Sequence, residues 1–336
     1  MNFFQKIEDK SEWEGVLNRV LFKTFFHMPA WENFLEKEFS WVKFEHYVWR
    51  EQLGVSMASC KVFGKEKLIS HPFCEYGGPL PLRREIDFQN FYTDFYDFFG
   101  ENAYMQIHPY ILKFCAPKII YAFVSGEESE SKRATFWIEN LEAGSGKLWA
   151  AFRGDYRARV RKAERMGVTV EECKTKKDLE RFYTIYVETM KRHQNIPLPF
   201  GVFEFLNGGR ARIFLAKVGE KVMGGSAFLF YKPFIHYFIN ASDRNFRTYG
   251  VNHAILWHAI QKFAGGEYAY LDLGGTRKGS NLEEFKRGAR PKEYPIVTIG
   301  ERGSRVRDRK FLRLMWSLVP NGAMKLLSPY LLRFKI

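Results

Sequence analysis

Apolar and polar positions in the first part of the chain follow two periods, one typical of helices and one typical of strands. Apolar residues three and four positions apart predict helical segments over 11–39 and over 87–99. The runs 42–48 and 53–63 are rich in β-branched and aromatic residues, which predicts strands. This part of the chain is therefore expected to combine helices with a sheet.

The second part of the chain, from residue 135 on, alternates helical and strand-like patterns more regularly. The helical patterns lie at 148–166, 178–192, 249–263 and 282–287. The strand-like runs lie at 136–141, 168–172, 213–218, 222–231, 234–241, 268–273 and 294–299. Short turns at Gly219 and Lys232 join three of these runs and predict an antiparallel meander. The order of elements predicts a mixed α/β (α+β) fold whose sheet is largely antiparallel and flanked by helices.

The domain organisation follows from length and charge. With 336 residues the chain exceeds the usual span of one hydrophobic core, and the charged stretch 126–133 is the best candidate for a boundary. We expect an N-terminal domain over 1–134, a second domain over 135–300 and a basic tail over 301–336. The tail joins clustered arginines to Trp and Leu. This is typical either of a helix on an anionic membrane surface or of a segment that covers a groove of the second domain.

Composition narrows the class of protein and of partner. A content of 46% hydrophobic and 27% charged residues is that of a globular protein. No run approaches ~20 apolar residues, and four scattered cysteines indicate reduced thiols and no metal site, so a cytoplasmic protein is expected. The formal net charge of +14 favours anionic partners such as tRNA, a diphosphate-linked precursor, coenzyme A or an anionic membrane surface.

One candidate binding feature is the basic helix predicted over 148–166. Arg153, Arg157 and Arg161 recur at four-residue spacing and form a cationic ridge beside an apolar face. Guanidinium groups bind phosphate oxygens in pairs, so the ridge suits a phosphate-rich ligand. A solvated helix face partnered by nearby carboxylates is the alternative.

A second feature is the segment 247–252, which joins the end of a strand to the start of a helix. Gly250 would let backbone N–H groups approach an anion at the helix N-terminus, with Arg247 and Asn252 beside it. An ordinary strand-to-helix turn gives the same pattern.

A third feature runs from Asp272 to Lys286. A strand is expected to end in the Asp272-Leu-Gly-Gly turn, and the Ser280/Glu283 spacing predicts a capping box for a short helix that presents Phe285 and an exposed Lys286. Asp272 either takes part in the site or hydrogen-bonds the turn. Lys286 could offer a point charge to a phosphate or to a carbonyl oxygen.

Other common sites find no support in the sequence. His253 and His258 are five residues apart, so they do not share a helix face as zinc ligands four apart would. No G-x-S-x-G, Walker A or G-x-G-x-x-G pattern stands in a suitable context, which argues against hydrolase, NTPase and dinucleotide-binding functions.

The three features together resemble the Fem family, GNAT-fold transferases that add amino acids to peptidoglycan precursors, and the related BioF2-like acyltransferases. The Leu148–Trp149 pair followed by the Arg-rich segment 156–168 is similar to the family's Leu-Trp and Arg-rich segment. The segment 271–275 followed by Phe285–Lys286 looks like the family's "yDfgG … FK" ending. The similarity covers about 136–300 by motif order, and the rest only in overall plan.

The resemblance implies a fold of two tandem GNAT-like domains, and it associates Lys286 with the donor end of the reaction. In acyl-CoA-dependent GNAT enzymes an Arg/Gln-x-x-Gly-x-Gly/Ala loop cradles the pyrophosphate. Arg247, Gly250 and Asn252 are similar to it, with Asn at the last position. The long coiled-coil arm of several Fem proteins has no counterpart here.

We therefore expect an enzyme that transfers an aminoacyl or acyl group onto an amine of a cell-wall or envelope precursor. The expected co-substrate is aminoacyl-tRNA or acyl-CoA, with no tightly bound cofactor, and the acceptor is lipid-linked or nucleotide-linked. The predicted site residues are Lys286 and Asp272 for catalysis, and Arg157, Arg161, Arg247, Gly250, Asn252 and Phe285 for substrate and donor binding.

Two alternative functions remain at this point. One is an acyl-CoA-dependent N-acyltransferase that acts on an amino sugar or another small amine. The other is a non-catalytic protein whose basic surface holds tRNA or a lipid-linked precursor. The expected location is the cytoplasm, with peripheral contact to the inner face of the cytoplasmic membrane if the tail 301–336 binds lipid.

Overall fold

A computed structural model describes residues 3–62, 64–114, 133–300 and 319–335. The strands, numbered in chain order, are β1 Phe4–Ile7, β2 Val42–Trp49, β3 Leu53–Val62, β4 Lys65–Ile69, β5 Leu80–Pro81, β6 Met105–Ile107, β7 Arg133–Ile138, β8 Thr169–Glu172, β9 Ala211–Val218, β10 Lys221–Tyr231, β11 Phe234–Ser242, β12 Tyr270–Arg277, β13 Lys292–Pro295 and β14 Val297–Ile299. The α-helices are α1 Lys10–Arg19, α2 Pro29–Glu38, α3 Phe88–Phe99, α4 Ser145–Ala151, α5 Gly154–Arg165, α6 Lys176–Arg192, α7 Phe200–Asn207, α8 Val251–Phe263, α9 Asn281–Arg287 and α10 Asn321–Leu331.

These elements form two compact units. The chain passes from the first unit to the second at residue 135 and returns to the first at 294. Of the described tail, 319–332 belongs to the second unit. The domains 1–134, 135–300 and 301–336 stay a prediction, which differs from these units in placing 294–300 with the second domain.

The first unit is built on an antiparallel sheet in the order β1-β2-β3-β4, with β5 also paired to β3. A separate two-stranded antiparallel sheet joins β14 to β6. The helical region expected over 11–39 is two helices, because Val20 is extended after α1 and Pro29 starts α2 at its first turn. The aromatic residues of α3 contribute to the core. The buried ones are Phe88, Phe91, Phe95 and Phe99.

The second unit holds a seven-stranded sheet in the order β13-β7-β12-β11-β10-β9-β8. The predicted meander is confirmed, since β9, β10 and β11 pair antiparallel in succession. β11 and β12 are parallel. The run expected as one strand over 294–299 is instead two strands in different sheets, β13 and β14.

Two helices of the second unit differ from the expectation. The helix predicted over 148–166 is broken into α4 and α5, because Phe152 and Arg153 have extended ψ values of 146°. Phe152 is 3% exposed, so the break turns its ring into the core. Helix α7 was not predicted, since the proline-containing run that precedes Phe200 masks its start.

The described end of the tail packs on the second unit. Lys191 of α6 donates to the Val319 carbonyl oxygen at 2.6 Å and to Asn321 Oδ1 at 3.2 Å, and Met324 of α10 is fully buried. The arginine cluster, expected either to bind an anionic surface or to cover a groove of the second domain, lies in 301–318, outside the described residues. None of the helices in the described ranges is both long enough and apolar enough to cross a membrane.

Candidate functional site

The site begins where the parallel strands β11 and β12 part. Their hydrogen-bonded ladder covers three residue pairs and ends at the pair His236 and Asp272. We call this pair the parting point of the two strands. Past this pair, β11 stays bonded to β10 as far as Ser242, while β12 continues to Arg277. Ligands of open α/β sheets commonly bind at the carboxyl ends of strands, at a break in the strand order. The residues that follow His236 and Asp272 therefore border the candidate site.

Asp272 is fully buried at this parting point and carries several hydrogen bonds. Thr135 Oγ1 donates to its Oδ1 at 2.6 Å, and the Gly274 N–H donates to the same oxygen at 2.8 Å. His236 Nδ1 lies 3.0 Å from Oδ2, and the His236 side chain is 1% exposed. The expected end of the strand at the double glycine is wrong, because β12 runs through Gly274 and Gly275 to Arg277. Asp272 is thus a strand residue that organises the backbone after it.

Lys286 is buried, with 2% exposure, and the expectation of an exposed lysine is wrong. Its Nζ donates to the Gly274 carbonyl oxygen at 2.7 Å and lies 3.4 Å from that of Gly275. The predicted cap of α9 is confirmed, since the Glu283 N–H donates to Ser280 Oγ at 3.2 Å. The short, capped helix therefore directs its lysine inward, onto the backbone of β12.

These contacts connect four residues in one series of hydrogen bonds, which we call the path. His236 contacts Asp272, Asp272 accepts from the Gly274 N–H, and the carbonyl of the same glycine accepts from Lys286. The N–H and the C=O of Gly274 belong to successive peptide groups, so the two bonds hold the backbone on both sides of its Cα. The path therefore fixes a positive charge beside the parting point of β11 and β12.

Phe285 lies in an aromatic cluster next to this path. Its ring centroid is 5.0 Å from that of His253 and 5.9 Å from that of Tyr156, and His253 and Tyr156 are 4.6 Å apart. A Cβ on Gly288 would lie 2.5 Å from Tyr156 Cδ2, so the glycine after α9 allows this packing. Burial, and then the nearby charge of Arg159, lowers the pKa of His253 to about 4. Its imidazole is therefore neutral near pH 7.

The segment 247–252 forms a turn before α8 with its glycine under another helix. Gly250 has φ +74°, and a Cβ there would lie 2.6 Å from the Arg159 carbonyl oxygen of α5. The glycine is thus required by backbone conformation and by helix packing. Arg247 is exposed, and Asn252 Oδ1 accepts from Asn240 Nδ2 at 3.4 Å. Anion binding by this loop stays a prediction.

The predicted cationic ridge is shorter than expected and has an aromatic neighbour. Arg153 precedes α5 and pairs with Asp155 at 2.6 Å, so it does not continue the helical row. Arg157 donates to the Ala150 carbonyl oxygen at 3.4 Å, and the exposed Arg161 lies 5.8 Å from the ring centroid of Trp149.

Trp149 of α4 extends this cationic face with a second indole. Its ring lies 4.5 Å from that of Trp257 on α8, and both tryptophans are partly exposed. We call the four side chains Trp149, Trp257, Arg157 and Arg161 the tryptophan–arginine face. A surface of this composition suits stacked bases and phosphates.

The structure adds residues that the sequence did not single out. His236 and Tyr237 lie inside an apolar strand pattern, where a buried polar side chain leaves no periodic signal. Trp257 sits on a helix that the sequence assigned correctly, but its pairing with Trp149 is a tertiary contact. Within the described ranges, no group of three or more His, Cys, Asp or Glu side chains is arranged to hold a metal ion.

Comparison with known proteins agrees with the fold. Residues 150–287 match the acetyltransferase (GNAT) domain family. The fold is similar to that of FemX, with a TM-score of 0.58 at 15% identity over 88% of this chain and 96% of FemX. It is also similar to L-PGS from Bacillus licheniformis, with a TM-score of 0.54 at 13% identity over 90% and 95% of the two chains.

A third similar structure is the C-terminal domain of a putative lysylphosphatidylglycerol synthetase from Agrobacterium fabrum. The TM-score is 0.51 at 12% identity, over 96% of each chain. No curated protein matches the sequence. The GNAT domain and the mixed α/β architecture confirm the predicted fold class, and the domain match confirms the expectation of an acyltransferase.

Proposed function

We propose that this GNAT-fold acyltransferase moves an aminoacyl group from aminoacyl-tRNA onto an amine of a cell-envelope precursor. The observation that carries the proposal is the buried Lys286, held 2.7 Å from the Gly274 carbonyl oxygen where β11 and β12 part. A fixed cation at such a point suits a reaction that develops negative charge on a carbonyl oxygen or on a leaving group.

The reaction needs little chemistry from the protein. An ester on tRNA is already activated, so the amine nitrogen attacks the carbonyl carbon, a C–N bond forms, and the C–O bond to the ribose breaks. The proton lost by the amine leaves with the ribose oxygen or to water. Alignment of the two substrates and electrostatic stabilisation of the oxyanion then account for most of the rate.

The tryptophan–arginine face supports tRNA as the donor. Base stacking on an aromatic side chain contributes about 1–3 kcal/mol per base, and guanidinium groups bind the adjoining phosphates. Both indoles are partly exposed, and Arg161 lies beside one of them. The net charge of +14 adds long-range attraction to a polyanion.

Acyl-CoA is the second candidate donor, favoured by the turn at 247–252 before α8. Arg247 is exposed there and could contact a phosphate. Gly250, however, faces the Arg159 carbonyl oxygen of α5, so the glycine serves helix packing in this structure. This contact makes the turn a weaker argument for the pyrophosphate than the motif alone. With this donor, the acceptor would be an amino sugar or another small amine.

A direct comparison of donors tests the proposal. Purified protein is incubated with labelled aminoacyl-tRNA or labelled acyl-CoA, together with nucleotide-linked and lipid-linked envelope precursors. We expect label from aminoacyl-tRNA to become amide-bonded to the acceptor. Transfer from acyl-CoA alone would replace the tRNA donor by the second candidate, and binding of tRNA without transfer from either donor would favour a non-catalytic binding protein.

We also propose that the tail brings the enzyme to a lipid-linked acceptor at the inner face of the cytoplasmic membrane. Helix α10 exposes Leu326 (76%) and Tyr330 (63%), with Leu327 at 41%, while Met324 faces the second unit. An apolar outer face next to a basic segment is the pattern of an interfacial helix. In liposome flotation, wild type should float with anionic vesicles, and a Leu326→Ser, Tyr330→Ser variant should stay in the bottom fraction.

A further inference from the structure

Two tyrosine hydroxyl groups are buried in the second unit, next to the parting point of β11 and β12. Tyr156 lies on α5 and is 2% exposed, and Tyr237 lies on β11 and is 6% exposed. Tyr237 directly follows His236, the last β11 residue in the parallel ladder. Within the described chain, neither phenol oxygen has a hydrogen-bond partner of suitable geometry.

The two phenols are neighbours. Burial, and then the proximity of Tyr237, raises the pKa of Tyr156 well above its ordinary value, and burial raises the pKa of Tyr237 as well. Both groups therefore remain neutral O–H donors across the pH range in which an amine transferase works.

Polar side chains from two further positions surround the Tyr237 hydroxyl. Ser226 of β10 and Asn240 of β11 lie beside it, although not in hydrogen-bonding geometry. Asn240 Nδ2 is occupied elsewhere, since it donates to Ser226 Oγ at 2.8 Å and to Asn252 Oδ1 at 3.4 Å. The Asn240 amide and the Ser226 hydroxyl thus bond to one another rather than to the Tyr237 hydroxyl.

The Tyr156 ring is fixed by its neighbours. It packs between the rings of His253 and Phe285, and Gly288 leaves room for its edge. A buried hydroxyl without a partner destabilises a fold, because it has lost its hydrogen bonds to water and gained none in return. Two such groups from neighbouring residues of α5 and β11 indicate that a ligand supplies the missing acceptor.

We infer that the hydroxyls of Tyr156 and Tyr237 donate hydrogen bonds to the carbonyl oxygen of the transferred acyl group. This inference rests on the proposed function. When the amine nitrogen attacks the carbonyl carbon, the C=O π electrons move to the oxygen, and both phenols stabilise the resulting oxyanion. When the C=O bond reforms, the bond to the leaving oxygen breaks, and the two hydrogen bonds weaken again.

The test compares wild type with Tyr156→Phe, Tyr237→Phe and the double variant in the aminoacyl transfer assay. Each single change should lower kcat about 100-fold and leave KM within about 3-fold, since the hydrogen bonds strengthen in the transition state. Tyr268→Phe, a partly exposed tyrosine on the loop before β12, is the matched control and should keep the wild-type rate.

Thermal melting supplies a second readout. Because each phenylalanine removes a hydroxyl that lacks a partner, both variants should melt at or above the wild-type temperature. A structural role would lower the melting temperature instead, and that result would overturn the inference. Unchanged kcat in both single variants would also overturn the inference. If the wild-type enzyme transfers label in that case, the proposed function is unaffected. A wild-type protein that transfers no label removes the proposed function and the inference together.

Discussion

Lys286 and Asp272 are connected through the backbone of a single residue, Gly274. The Gly274 carbonyl oxygen accepts from Lys286 Nζ at 2.7 Å, and the N–H of the same residue donates to Asp272 Oδ1 at 2.8 Å. A buried cation and a buried carboxylate are thus placed on opposite sides of one glycine. The two side chains thereby hold the β12 backbone on both sides of the Gly274 Cα.

The first prediction concerns Asp272. Asp272→Asn keeps an acceptor for the Gly274 N–H but removes the negative charge that faces His236 and orients the path to Lys286. We expect kcat to fall about 10-fold to 100-fold with a small change in KM, and the free energy of unfolding to fall by about 2–3 kcal/mol. Steady-state kinetics and denaturant unfolding measure both effects.

His236→Asn is the matched control for that variant, because an asparagine amide can reproduce the ring Nδ1 donor. It should retain more activity than Asp272→Asn. Equal activity of Asp272→Asn and wild type would show that the path to Lys286 does not contribute to catalysis.

The second prediction concerns Gly250. Gly250→Ala combines a left-handed φ of +74° with a Cβ placed 2.6 Å from the Arg159 carbonyl oxygen. We expect a loss of about 3 kcal/mol or more in unfolding free energy, because α5 must move away from α8. Gly265→Ala has a similar φ of +83° but nothing within 4 Å of the added Cβ, so it should lose only about 1 kcal/mol. Equal losses would show that α5 does not press on Gly250.

The difference between the predicted and observed folds has a physical cause. Periodic patterns placed the meander β9–β11, helix α3 and the capped helix α9 correctly, because local spacing and capping determine these elements. They could not show that Lys286 points inward, since the Gly274 and Gly275 carbonyls that receive it belong to another element.

The break between α4 and α5 was missed for a related reason. The sequence through Phe152 and Arg153 keeps a helical period, but burial of Phe152 and the hydrogen bond from the Arg153 N–H to the Gly288 carbonyl oxygen favour an extended backbone there. Tertiary contacts of this kind override local propensity.

The third prediction concerns the tryptophan–arginine face. Trp257→Ala should weaken binding of a tRNA acceptor-stem RNA about 10-fold, since one stacked base is lost. Arg161→Ala should weaken RNA binding more at low salt than at high salt. The slope of log affinity against log salt concentration should fall by the equivalent of about one phosphate contact. Trp41 is buried, so Trp41→Ala is not a suitable control. The control is Arg83→Ala, which changes an exposed arginine of the first unit. Unchanged RNA affinity in the Trp257 and Arg161 variants would exclude this face as the RNA site.

The fourth prediction concerns acid stability of the first unit. Burial lowers the pKa of His27 to about 4, whereas in the unfolded chain it is near 6.5. The unfolded state therefore binds the proton more readily, so the stabilisation is complete above pH ~6.5 and is lost as the pH falls towards ~4. The loss from this group amounts to about 3 kcal/mol.

The buried Glu32 acts in the opposite direction, since burial raises its pKa and protonation favours the folded state. Comparison with His27→Gln separates the two effects. The variant should show a flatter decline of unfolding free energy between pH 6.5 and pH 4 than wild type. Parallel pH profiles of the two proteins would contradict the assignment to His27.

The role of Lys286 is measured by single-turnover transfer from labelled aminoacyl-tRNA to an amine acceptor, with wild type, Lys286→Ala and Lys278→Ala compared side by side. Lys278 is 63% exposed on the turn before α9 and is a matched control. We predict that Lys286→Ala lowers the transfer rate about 100-fold or more, while Lys278→Ala stays near wild type. Equal rates for wild type and a folded Lys286→Ala protein would show that Lys286 does not stabilise the charge that develops during transfer.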